Sequence, residues 1–320
     1  MRKLISLLLA AIMLLGCVSA IAEDAAPVKT GFGMITTITK SQVNIAYAAV
    51  TVDDAGVITS CDMDYIQAKY VIDATGKITT DKATQFQSKY ELDDAYGMRI
   101  ASPIGKEWDE QADHFVAYCI GKTIDEIKGV ALTEAGKAAD ADLAAGCTMT
   151  VTEYLAVVEK AVNNAAHLGA KKGDVVKVAQ VSGFDKSTAD ASATAAGKIQ
   201  INAHVGAVTL NGDVITSCII DAVQAKIAFD ATGKITSDMT APVASKTELQ
   251  DGYNMRMASP IGKEWFEQSA GFSAYVTGKT LAEVAGIALN ESGKPTDADL
   301  TATTTITITD FLAVVEKAGK

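Results

Sequence analysis

Arginine is nearly missing from this chain. Three occur in 320 residues, at positions 2, 99 and 256, while lysine is used freely. Histidine is as sparse (His114, His167 and His204), and there are two tryptophans. Acidic residues outnumber basic ones by 39 to 28, giving a formal net charge of −11. Such a surface repels phosphate backbones and anionic lipid, which excludes nucleic acid as a partner. The five cysteines contain no CxxC pair, and their spacing is neither a disulfide framework nor a zinc site. Beyond the N-terminus no run is long and apolar enough to span a bilayer.

The N-terminus itself reads as an export signal over residues 1–22. Arg2 and Lys3 precede an apolar run from Leu4 to Leu15 broken only by Ser6, which has the length of a signal-peptide core. Two processing sites fit. Leu14-Leu15-Gly16-Cys17 resembles a lipobox with Cys17 as the lipidated residue, and Ala20-Ile21-Ala22 fits ordinary cleavage before Glu23. Both put the mature chain outside the cytoplasm, anchored to the membrane by lipid or secreted. About 300 residues then remain, enough for two domains.

Self-comparison supplies the two domains. Ile58-Thr59-Ser60-Cys61 returns as Ile215-Thr216-Ser217-Cys218, and Ala101–Trp108 returns unchanged as Ala258–Trp265. The offset holds without a gap from Val57 to the C-terminus, so the chain is a tandem duplication: residues 30–162, a linker at 163–173, and residues 174–320. Cys61 and Cys218 match, whereas Cys119, Cys147 and the three histidines have no counterpart. No acid–base pair, Ser/His/Asp set, phosphate loop or metal cluster recurs in both copies, which argues against a hydrolase.

Each copy reads as strands followed by helices, an α+β domain. Val43–Val52 is β-branched and aromatic and turns at Asp53–Gly56 into a return strand over Val57–Cys61. Asp73–Gly76 reads as a hairpin loop between Ala68–Ile72 and Lys77–Thr79. Ser102-Pro103 is expected to start a helix carrying Ile104, Trp108, Gln111, Phe115 and Tyr118, ended by Gly121. Thr123 with Glu126, and Thr150 with Glu153, are expected capping boxes for two further helices. Thr280 with Glu283, and Thr307 with Asp310, match them in the second copy.

Arg99 and Arg256 are equivalent, one per copy. A guanidinium kept at one place suggests a fork for carboxylate or phosphate, with Lys106 and Lys263 nearby. The alternative is a structural ion pair with Asp93 or Asp94, and with Asp251. Trp108 and Trp265 share helical spacing with core aromatics, which places them in the core rather than on a ligand.

The segment Asp142-Leu143-Ala144-Ala145-Gly146-Cys147-Thr148-Met149-Thr150, followed by a helix bearing Ala156-Val157 and Ala161-Val162, resembles the end of the FMN-binding domain. That family includes the C subunit of the sodium-pumping NADH–quinone reductase and flavinylated surface lipoproteins. The Gly56–Ser60 strand rhythm and Gly121-Lys122 also fit. The resemblance implies that Thr148 carries FMN through a phosphoester set by a flavin transferase. Asp142 would be the family's acidic residue, and Gly146 would allow close backbone approach. Thr305 and Asp299 would be their counterparts, with Arg99 and Arg256 as further cofactor contacts. Ala145 and Cys147 depart from the family pattern, and Ala302 and Thr303 depart further in the second copy. The implied protein is an extracytoplasmic electron carrier, served by a redox partner at the membrane or outside it. The competing reading is a non-redox ligand-binding or structural surface lipoprotein of the same ancestry.

Overall fold

The computed structural model describes residues 25–320. Arg2, Cys17 and both processing sites lie outside the described residues. Each repeat opens with a three-stranded antiparallel meander. In the first these are β1 (Lys29–Ile38), β2 (Gln42–Val52) and β3 (Ile58–Lys69); in the second, β4 (Val175–Phe184), β5 (Gly197–Asn211) and β6 (Val214–Phe229). Helices follow. The first repeat has α1 (Lys89–Leu92), α2 (Trp108–Cys119), α3 (Ile124–Lys128), α4 (Ala141–Ala144) and α5 (Thr152–Asn163). The second has α6 (Lys246–Leu249), α7 (Trp265–Val276), α8 (Leu281–Ala285), α9 (Ala298–Thr301) and α10 (Thr309–Ala318). The protein is thus α+β, two strand-then-helix units in tandem.

Alternation along the strands sets the layers. On β2, Val43, Ile45, Tyr47 and Ala49 enter one core, while Ala46, Ala48, Val50 and Val52 enter another. The second of these packs on α2 and α5 of the same repeat. The first meets Ile199, Ile201, Ala203, Val205 and Ala207 of β5, so the two sheets face each other across a shared core. β6 and β5 in turn carry a third core under α7 and α10. The order is helices, sheet, sheet, helices.

The sheet edges are closed by side chains. The Val176 and Val178 amides of edge strand β4 donate to Ser60 Oγ and Asp62 Oδ2 of β3, at 3.1 and 2.8 Å. On the opposite side Thr30 of β1 and Ser217 of β6 share a buried hydroxyl pair at 2.7 Å. The outward-facing Val176 and Val178 amides of β4 are thereby satisfied. The 163–173 segment is no free spacer. It runs back along the start of the first repeat, where Thr30 and Ala166 exchange backbone bonds and the Val28 amide donates to Ala170.

Three sequence expectations are corrected. The return strand runs on to Lys69, well past Cys61. The Trp helix starts at Trp108 rather than at Ser102-Pro103, because Glu107 is its N-cap. The Thr150–Glu153 box is absent: α5 begins at Thr152 behind Val151, and α10 likewise behind Ile308. The Thr123 and Thr280 boxes form as expected.

Candidate functional site

Thr148 follows α4 and stands against the first turn of α2. Its amide and its hydroxyl both donate to Gln111 Oε1, at 2.9 and 3.2 Å. Gln111 is fully buried and fixed in turn, since its Nε2 donates to Ser102 Oγ and the Lys106 carbonyl. The Thr148 oxygen is thus held by its one proton, with its lone pairs unused by Gln111. Thr305 repeats the geometry on Gln268, at 2.8 and 3.2 Å.

Beside Thr148 lies an open groove of about 430 Å3, whose lining includes Tyr65, Lys89, Tyr96, Trp108, Lys137 and Tyr154. Trp108 is a core residue as expected, tied to buried Tyr154 by a 3.0 Å bond from the indole Nε1 to the phenol oxygen. Lys89 Nζ lies 4.2, 4.9 and 5.2 Å from the ring centres of Tyr65, Tyr96 and Trp108. It is 8% exposed. Cation–π attraction holds the ammonium, but burial pulls its pKa down to about 8, only partly offset by Glu153 and Asp64. Glu153 accepts from the Tyr65 hydroxyl at 3.1 Å, and burial raises its carboxyl.

The other sequence-selected residues lie elsewhere. Asp142 is exposed in the first turn of α4, whose cap is Asp140; Asp299 repeats this behind Asp297. The Asp142 carbonyl lies 2.9 Å from His114 Nε2. Gly146 makes room for protein rather than ligand: a Cβ there would fall 2.2 Å from the His114 ring. In the second repeat the pair is reversed, with Gly271 facing Thr303. Arg99 spans Asp94 (2.9 Å) and Glu110 (2.7 Å), and Arg256 spans Asp251 (2.7 Å) and Glu267 (2.9 Å), with both arginines exposed. Both guanidinium forks therefore serve the structural ion pairs. The Arg99 and Arg256 amides also donate to buried Glu107 and Glu264.

The second repeat rebuilds the site. Lys246 sits 4.8 Å from both Tyr253 and Trp265, with its pKa again drawn down to about 8 by burial. The cross-strand pair Ala46–Tyr65 becomes His204–Ala222. His204 Nδ1 meets Asp310 Oδ2 at 2.9 Å, so a His–Asp pair takes the part of Tyr65 and Glu153.

Sequence reasoning passed over Lys89, Tyr96 and Glu107. The duplication was the available signal, because each is retained as Lys246, Tyr253 and Glu264. No protein-family model matches the chain, no curated protein matches it, and no solved structure matches it.

Proposed function

We propose that this chain is an extracytoplasmic electron carrier with FMN tethered to Thr148. The observation that supports this most is the groove beside Thr148, whose lining combines aromatic rings with Lys89 and Lys137. Its volume lies within the range of small-molecule sites. The phosphoester would join Thr148 Oγ1 to the FMN phosphate, set by a flavin transferase. Gln111 orients that oxygen, and Lys89 and Lys137 supply positive charge along the groove. The bound flavin would supply one- and two-electron chemistry, while the protein contributes position and field. A redox partner at the membrane or outside it would exchange the electrons, and lipid on Cys17 would keep the carrier there.

A second reading, a non-redox ligand-binding or structural surface protein, is favoured by Gly146. That glycine accommodates His114, as the reversed Gly271–Thr303 pair indicates, so it need not mark a flavin. Expression of the mature protein with a flavin transferase, followed by a denaturing gel, separates the two. A fluorescent band that disappears in Thr148→Ala and weakens less in Thr305→Ala is expected. A dark wild-type band favours the binding module.

A further inference from the structure

Lys89 and Lys246 stand out among the 25 lysines. Among the described residues neither has a hydrogen bond or a close ion pair; aromatic faces are their contacts. A buried ammonium with no acid in contact is costly, even with Glu153 and Asp64 near Lys89, and escapes the cost by losing its proton or by acquiring a partner. Among the described lysines these two are the buried ones, whereas lysines paired with acids, such as Lys128 with Glu159 and Lys317 with Glu91, are more exposed. Lys89 is among the residues that line an open groove, the side from which a small molecule would approach its amine.

We propose that, in protein whose groove holds no flavin, Lys89 is a carbonyl-capturing amine, and that the groove of the first repeat then takes a small aldehyde or ketone, flat and apolar with an anionic group, as an imine on Nζ. The flat, apolar body suits the accessible part of the lining, Tyr96, Met98 and Pro103, and the anionic group suits exposed Lys137. The neutral amine adds to the carbonyl carbon, a C–N bond forms, and the carbonyl oxygen leaves as water; hydrolysis reverses the step. No oxidant or metal enters. A desolvated lysine is the usual means of activating such a nucleophile. With a pKa near 8, Lys89 would hold on the order of a hundredfold more free amine at pH 7 than an ordinary lysine. The charged groups around it are Glu153 from α5, with Asp64 and Lys69 from β3. The two acids favour the ammonium; burial outweighs them.

The test uses the mature protein made without a flavin transferase. Limiting pyridoxal 5′-phosphate with cyanoborohydride reduces any imine to a stable amine, and peptide mass mapping locates it. Lys89 should be labelled at least tenfold faster than the median lysine, with a rate that levels off above pH 8 instead of rising towards pH 10. Lys89→Met should lose that label alone; with no transferase present, flavin attachment does not enter the result. Label spread over exposed lysines with Lys89 at or below the median would overturn the proposal, and the wild-type map alone suffices to show it.

Discussion

Burial acts in opposite directions on single side chains here. Desolvation pushes Asp62 and Asp64 up to about 6 and draws Lys89 and Lys246 down to about 8. At pH 7 all four are charged where charge is disfavoured. A carboxyl raised in the folded state takes its proton there first, so its contribution to stability grows as pH falls from above 6 towards 4. A lysine lowered in the folded state loses its proton there first, so its contribution grows as pH rises from 8 towards 10.5. These groups therefore contribute least between pH 6 and 8. Asp310 opposes the acid limb, because its bond from His204 lowers its pKa and that stabilisation is lost at low pH. Urea midpoints should be higher at pH 5.5 than at pH 7, by about 1 kcal/mol for each raised carboxyl. Asp64→Asn should flatten the acid limb and Lys89→Met the alkaline one. A monotonic fall from pH 7 to 5.5 in the wild type would contradict the assignment.

Residue pairs also show what the sequence could and could not convey. Gly146 looked like a motif glycine and His114 like an unmatched histidine, yet they form one packing unit that Thr303 and Gly271 reverse. Either residue alone gave no sign of the other; only their joint exchange between copies did. Gly146→Thr should cost about 1–3 kcal/mol by overpacking, and adding His114→Gly should recover part of it. Additive losses in a thermal double-mutant cycle would separate the two sites.

At the scale of elements, β2 was legible through its β-branched and aromatic run, and the strand-then-helix order followed from the change of period. β1 was not assigned, because Gly31 and Gly33 weaken its strand pattern. The reason is α5, which crosses so closely that a Cβ on Gly31 would lie 1.9 Å from the Ala161 carbonyl oxygen and one on Gly33 2.4 Å from that of Val157. Backbone cannot yield as a side chain can. Gly31→Ala should destabilise by roughly 3 kcal/mol or more, read as a shift of the urea midpoint. A neutral result would mean that α5 does not seat on β1. The second repeat places its small residue differently: the cross-strand pair Gly33–Ala48 becomes Ala179–Gly206. The start of α2 was misplaced for a related reason. Ser102-Pro103 has better local capping chemistry, but Glu107 caps the helix while also receiving the Met98 and Arg99 amides, at 2.6 and 2.9 Å. A tertiary bond network outweighed local preference.

At the scale of the molecule, the duplication was plain in the sequence but its consequence was not. Periodicity assigns a strand two faces without saying what each face meets. Here one face of each sheet meets the other repeat, so the copies share a core instead of hanging from a linker. Thermal unfolding should accordingly be a single cooperative transition, and a protease cut engineered within residues 163–173 should leave the two halves associated. Two separable transitions would show that the repeats fold independently.

The groove at Thr148 is the feature on which the functional reading turns, and covalent occupancy is its most direct measure. Intact mass and peptide mapping of the mature protein, co-expressed with a flavin transferase, should show a gain of one FMN less one water on the peptide containing Thr148. An unmodified mass, with the transferase shown to flavinylate a known substrate in the same cells, would contradict the electron carrier.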